Sequence, residues 1–240
     1  MTHSPDTRRV DELLLRRRWP LVGLMLAAAY AVTRVPLRPE WWWVSTLAIV
    51  LFSLPVVLGA LSWLGARRGA ALLVGLGLYA LVFESIAIAT GVPYGRFGYS
   101  GVLGPELLGL APVTVLLAWT PLVLGVLAVT RRVWAATALL VVLDLVLDPA
   151  AVHLGFWAWD EPGRYYGVPV VNFLGWVLSG GLAVLALRRL PRPVPGLFAR
   201  NLWLVVLFWT AVNAWSGQLV PALIGLVLVL AWGRAYGRAR

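Results

Sequence analysis

From Trp19 to Trp232 the chain alternates long apolar runs with short breaks that carry arginine, glycine or proline. Apolar stretches fall at 19–36, 41–64, 70–90, 107–129, 133–154, 168–187, 198–214 and 218–233. At 1.5 Å of rise per residue, about 18 to 20 such residues cross a hydrocarbon core of roughly 30 Å. The pattern therefore predicts an all-α polytopic membrane protein with eight transmembrane helices. Seven would remain if the first stretch were a cleaved signal peptide, since a basic region precedes it and Ala29 and Ala31 form a small-residue site. Cleavage would leave the amino terminus outside, against the charge pattern described next, so the eight-helix reading is preferred.

The arginines alternate between the two sides. Arg8, Arg9, Arg16, Arg17 and Arg18 precede the first stretch; Arg67 and Arg68 follow the second; Arg131 and Arg132 follow the fourth. Arg188, Arg189, Arg192 and Arg200 follow the sixth, and Arg234, Arg238 and Arg240 the eighth, which makes 16 on one side. The opposite side holds only Arg34, Arg38, Arg96 and Arg164. By the positive-inside rule both termini are expected in the cytoplasm. This division gives a basic cytoplasmic tail at 1–18, a single integral-membrane helical domain at 19–236 and a basic tail at 237–240. Two long outer loops, 91–106 and 155–167, are rich in Gly, Pro, Tyr and Trp and are the expected seat of function. A multi-pass protein of a bacterial cytoplasmic membrane is the implied location.

Composition sharpens this picture. Hydrophobic residues make up 61% of the 240 and charged residues only 12%, which a soluble fold could not bury. The net charge of +10 is carried by arginine with no lysine at all. Orientation and attraction to anionic membrane lipid account for it, so no nucleic-acid partner is implied. The chain has no cysteine, which excludes disulfides, cysteine-ligated metals and a thiol nucleophile. Its two histidines, His3 and His153, are too few for a histidine-rich di-iron centre.

Ionisable groups inside the apolar stretches carry the chemistry. A charged side chain at the centre of a membrane helix costs about 2.5 to 3.5 kcal/mol, so Glu84, Asp144 and Asp148 each need a reason. Counting rise per residue, Glu84 in the third stretch and Asp148 in the fifth lie at similar depth, roughly 9 Å from the outer end, where they could meet. Asp144 and Asp148 are four apart and share one helical face, with Asp144 one turn deeper. Two like charges so close in poorly hydrated surroundings resist ionising together, so one of the pair is expected to hold a proton, as a general acid must. The alternative is purely structural: the acids hydrogen-bond neighbouring helices, or Asp148 beside Pro149 marks a helix break.

The outer loops add Tyr94, Phe97 and Tyr99 in the first and Phe156, Trp157, Trp159, Tyr165 and Tyr166 in the second. Such rings belong to a membrane-interface belt, or they stabilise a carbocation and stack along a polyene. Asp160 and Glu161 are solvated, paired with Arg164, or part of a site. Asn172 and Trp176 share one face near the outer end of the sixth helix, and Asn213 and Gln218 lie near the outer end of the last helix pair. Each could bind a water or hydroxyl, or bridge helices. No glycine-rich nucleotide loop, no Ser-His-Asp set and no paired Asp-rich magnesium motif is present. Proton chemistry on an apolar substrate remains.

The run from Asp144 to Pro149, continuing through Gly155-Phe156-Trp157-Ala158-Trp159 and from Tyr165 to Trp176, resembles the hallmark segment of the CruF-type carotenoid biosynthesis proteins. Gly91-Val92-Pro93-Tyr94-Gly95-Arg96-Phe97-Gly98-Tyr99, with Pro112 and Trp119, resembles that family's other signature. The likeness spans roughly Tyr79 to Trp176; elsewhere only apolar character agrees. It implies a carotenoid 1,2-hydratase (1'-hydroxylase), a hydro-lyase adding water across the terminal double bond of an acyclic ψ-end group such as that of γ-carotene or lycopene. The implied partners are a carotenoid within the bilayer, water, membrane lipid and other carotenoid-pathway enzymes.

Hydration of a trisubstituted alkene needs a proton at C2, a tolerated tertiary cation at C1 and a positioned water, and it calls for no metal or other cofactor. From the residues alone, Asp144 and Asp148 are expected to serve as acid and relay, with Glu84 as their partner or the base that orients water. Trp157, Trp159 and Tyr165 are expected to stabilise the cation. Tyr94, Asp160, Asn172 and Trp176 complete the expected substrate-binding set. A carotenoid end-group cyclase or isomerase would begin with the same protonation and exclude water, whereas a carotenoid or lipid carrier would use the acids only to tie helices together.

Overall fold

The computed structural model describes residue 12 and residues 16–238. Most of the basic tail expected at 1–18, including His3, Arg8 and Arg9, and the end of the tail at 237–240 lie outside the described residues.

Among the described residues eight α-helices form: α1 (Arg18–Arg34), α2 (Trp42–Leu64), α3 (Ala66–Thr90), α4 (Val115–Val129), α5 (Val133–His153), α6 (Val170–Leu187), α7 (Gly196–Trp215) and α8 (Leu219–Arg238). Five are long and apolar enough to cross a membrane: α2 with its leading turn (Pro39–Leu64), α3, α5, α6 and α7. The shorter α4 and the Leu219–Gly233 part of α8 are also apolar.

The peripheral helices turn small and polar residues inward and large aliphatic ones outward, whereas α4 and α7 bury large apolar side chains as well. On α6, Asn172, Gly175, Trp176, Ser179 and Ala183 are buried, while Val171, Leu174, Leu178, Leu182 and Leu185 form an exposed stripe at helical spacing. A water-soluble helix has the opposite arrangement, so this is a helical membrane protein. Helix α7 runs through the centre, with α1, α2, α4, α5 and α8 packed about it. Close approach depends on small residues. A Cβ on Gly77 would lie 2.6 Å from the Leu116 carbonyl oxygen, and one on Gly125 would lie 2.7 Å from Leu202 Cβ.

The two ends of the bundle differ. At one, strand β1 (Phe97–Tyr99) pairs antiparallel with β2 (Trp157–Trp159), aligning Phe97 with Trp159 and Tyr99 with Trp157. The ladder continues through Ser100 N–H to Phe156 O and Asp160 N–H to Arg96 O, so the two long aromatic connections form one cover. At the other end, Arg131 Nη2 donates to the carbonyls of Arg188 and Leu190 and ties two arginine-bearing connections together.

The fold is mostly helical, as expected, and the two long loops add a pair of three-residue strands too short to leave an alternating pattern in sequence. One expectation needs correction. The stretch expected as a helix over 107–129 becomes helical only at Val115. Before it lie single 3-10 turns at Gly101–Leu103 and Leu107–Gly109 and a bridge between Glu106 and Pro112. Pro112 has no amide hydrogen and steers residue 111 away from helical angles. Gly104 turns the chain with φ 103°, a conformation that glycine adopts without a Cβ penalty.

Candidate active site

A cavity of about 150 Å³ opens beneath the β cover, walled by α2, α3, α4, α5, α6 and α7. Its lining is mostly apolar and aromatic, with Glu84, Asp148 and Asn172 among its few polar groups and no arginine.

Helices α5 and α6 make one polar wall. Asp148 lines the cavity, and Asp144 lies one turn deeper on the same face of α5. Asn172 in the first turn of α6 donates Nδ2 to both, at 2.6 Å from Asp148 Oδ2 and 2.8 Å from Asp144 Oδ2. All three side chains are at least 97% buried, with exposures of 3%, 2% and 3% for Asp148, Asp144 and Asn172. Asp144 Oδ1 is buried without a hydrogen-bond partner. The amide can offer one hydrogen to each carboxyl group but neutralises neither charge, so the arrangement suits a pair that carries a proton between them.

Pro149 follows directly and leaves the Leu145 carbonyl without its helical N–H donor. Tyr165 OH donates to that carbonyl at 2.9 Å. Asn213 Nδ2 donates to Val146 O at 2.7 Å and Gln218 Nε2 to Pro149 O at 3.2 Å. Three side chains from outside the helix thus bind carbonyls of the turns that carry Asp148.

Glu84 forms the other polar wall on α3. Its Oε1 accepts from Trp119 Nε1 at 3.3 Å and its Oε2 from Tyr99 OH at 3.2 Å. Trp119 is stacked on Trp176, with ring centroids 4.8 Å apart and planes 12° apart, so α4 and α6 together fix the indole that holds Glu84. Burial, and then the adjacent Glu84, hold the Tyr99 phenol well above its ordinary pKa, keeping it a donor at neutral pH.

Aromatic rings close the remaining sides. Tyr94 is buried, donates its OH to Ser179 Oγ at 2.8 Å and accepts from Trp159 Nε1 at its carbonyl at 2.9 Å. Gly175 permits that contact: a Cβ there would collide with the Tyr94 ring and lie 2.8 Å from the Pro93 carbonyl oxygen. Phe97 lies 5.7 Å from Trp159, and Tyr99 lies 5.7 Å edge-on from Trp157.

Of the residues expected from sequence, Glu84, Tyr94, Asp148, Trp157, Trp159, Asn172 and Trp176 share the cavity lining, and Asp144 adjoins it through Asn172. Two do not reach it. Tyr165 points its hydroxyl at the α5 backbone, and burial, followed by the nearby Tyr166, pushes its pKa up to about 12. Asp160 is exposed just beyond β2. Sequence reasoning counted Tyr99 among the loop aromatics and Trp119 only within the resemblance, and it placed neither beside Glu84, to which both donate. No local spacing links either to Glu84. Among the described residues no group of three His, Asp or Glu side chains could hold a metal ion.

The profile of a family described as "Carotenoid biosynthesis protein" matches residues 42–232. The chain belongs to that family. The matched region of this carotenoid biosynthesis protein contains every cavity residue named above and omits α1. The chain is 34% identical over 261 residues to a "Bisanhydrobacterioruberin hydratase" of Haloarcula japonica, covering 97% of this chain and 87% of the relative. No solved structure matches this family member.

Proposed function

We propose that the protein is a cofactor-independent carotenoid 1,2-hydratase, acting on an acyclic ψ-end group of the γ-carotene or lycopene type. The observation that carries this reading is the Asp148–Asn172–Asp144 bridge at one wall of an aromatic cavity that Glu84 also lines. The hydratase name of the Haloarcula japonica relative supports the reaction type. A cavity of about 150 Å³ suits an apolar group of roughly benzene size, hence one isoprenoid end. The polyene then extends between helices into the bilayer, with the loops 91–106 and 155–167 as the roof of the site.

In the proposed reaction the Asp148 carboxyl gives its proton to C2, and the π pair becomes the new C–H bond. The tertiary cation left at C1 faces the π clouds of Trp157 and Trp159, which attract it. A water held by Glu84 forms the C–O bond, and the resulting oxonium gives its proton to Glu84. That proton returns through cavity water to the aspartate pair, so each cycle consumes one alkene and one water. Asp144 serves as the relay, and Asn172 keeps the two carboxyl groups in register.

Expression in cells that accumulate lycopene or γ-carotene tests this directly. The expected pigment gains one water per reacted end, and anaerobic reaction in ¹⁸O-labelled water places the label in a tertiary alcohol. A requirement for molecular oxygen or a chelatable metal would overturn the reading. A cyclised product of unchanged mass would reassign the protein as an end-group cyclase, and pigment binding without conversion would make it a carrier.

A further inference from the structure

A hydratase with an apolar pocket needs a supply line for water, and the β cover is a poor one. Phe97, Tyr99, Trp157 and Trp159 meet there ring against ring at 5.5 to 5.7 Å. The seam beside it, between the first turns of α2 and the irregular segment 101–114, is different. Ser45, Ile49 and Ser53 are spaced by four and share one face of α2. Ile49 and Ser53 line the cavity, which puts Ser45 one turn closer to the covered end. Ser45 is 5% exposed, yet its hydroxyl has no hydrogen-bond partner, and the neighbouring Thr46 Oγ1 is likewise buried and unpartnered.

Across the seam, Thr46 Oγ1 lies against Gly104, only 3.3 Å from where a Cβ on that glycine would stand. The preceding residue, Leu103, lines the cavity, and its carbonyl accepts from Thr114 Oγ1 at 3.0 Å; Thr114 lines the cavity too. Hydroxyls and a buried turn of backbone thus run from the covered end of α2 to the cavity wall. Helix-borne hydroxyls in apolar surroundings ordinarily bond a carbonyl of their own helix. Two adjacent ones that do not, beside a cavity, mark a place for ordered water.

We propose that this seam binds and admits the water consumed in the cavity, with Ser45 and Thr46 as its ligands; the inference rests on the hydration reading above. Water arriving there captures the cation before a proton is lost again.

The test uses the full chain in membranes supplied with an acyclic carotenoid in D₂O. A cation that is not captured loses a proton and returns as alkene carrying deuterium at C2, so the ratio of deuterated alkene to tertiary alcohol reports water supply independently of how much protein is present. Removing both hydroxyls with Ser45→Ala and Thr46→Val is expected to raise that ratio several-fold. An unchanged ratio would overturn the proposal. Hydroxyl-radical footprinting of the unaltered protein gives a readout that needs neither substitution nor turnover. Buried water in the seam should bring prompt oxidation of Leu103 and Ile49, and protection of both overturns the proposal. Absence of both alcohol and deuterated alkene from the unaltered protein would sink the hydration reading, while the footprint still decides the seam.

Discussion

The Asn172 amide nitrogen donates to Asp148 Oδ2 across 2.6 Å, linking the first turn of α6 to α5 one residue before Pro149. The same nitrogen reaches Asp144, so the two acids form one unit whose protonation and position are set together.

If that unit supplies the proton, Asp148→Asn and Asp144→Asn should leave the protein inserted and folded while lowering turnover by about two to four orders of magnitude. Asp148→Asn is expected to be the more severe, because Asp148 lines the cavity and Asp144 acts behind it. Trp157→Phe should be milder than either, since a phenyl face keeps part of the cation attraction. Pigment conversion per folded protein, measured by chromatography and size-exclusion fluorescence, checks the order. Near-normal conversion by both variants would move the acid to Glu84.

Asn172→Leu removes both amide hydrogen bonds and leaves the two buried carboxyl groups with only each other as partners. Hydrogen bonds to charged groups contribute about 1.5 to 3 kcal/mol each, so a stability loss of about 3 kcal/mol or more is expected in detergent unfolding. The exchanged pair Asp148→Asn with Asn172→Asp keeps an amide opposite a carboxyl group and should recover much of that stability. It should not recover turnover, because the acid then sits on α6.

Tyr165→Phe tests whether this ring serves the cation or the α5 backbone. The hydroxyl bonds Leu145 O and the ring is absent from the cavity wall, so its removal should cost about 1 to 3 kcal/mol of stability. Turnover per folded molecule should change less than in Trp157→Leu. The pH dependence has a definite sign. An unfolded tyrosine titrates near 10, while Tyr165 in the fold is pushed up to about 12. Its contribution is therefore complete below pH 10 and is lost as pH rises toward 12. Tyr165→Phe should remove that part of the alkaline destabilisation, as followed by unfolding midpoints across the interval.

Topology provides the remaining test. Reporters fused after Arg68, Arg132, Arg192 and Arg240 should read cytoplasmic, and one near Gly163 should read external. A cytoplasmic signal at Gly163 would invert the proposed orientation and place the site on the other face.

Much of the architecture was legible because membrane spans announce themselves locally. The expected stretch at 133–154 is α5 (Val133–His153), and that at 168–187 is α6 (Val170–Leu187). Only a long apolar run satisfies its backbone within hydrocarbon, so length and composition suffice to find it. The failure at 107–129 has the same root. Apolar residues in 107–114 look like helix to a hydropathy pattern, whereas Pro112 and the positive φ of Leu108 and Gly109 decide the backbone.

For the site, the sequence by itself determined which groups were anomalous. Acids within apolar helices are costly, and that cost singled out Glu84, Asp144 and Asp148. The four-residue spacing also placed the two aspartates on one face. What each acid touches was decided only by the tertiary structure. Asn172 lies 24 residues from Asp148, Trp119 lies 35 residues from Glu84, and Tyr165 meets the Leu145 carbonyl 20 residues away. Helical periodicity carries information over three or four residues along one helix, whereas these pairings depend on how separate helices rotate and pack. That packing put Trp119 and Tyr99 on Glu84, turned Tyr165 from the cavity to the backbone, and left Asp160 in solvent.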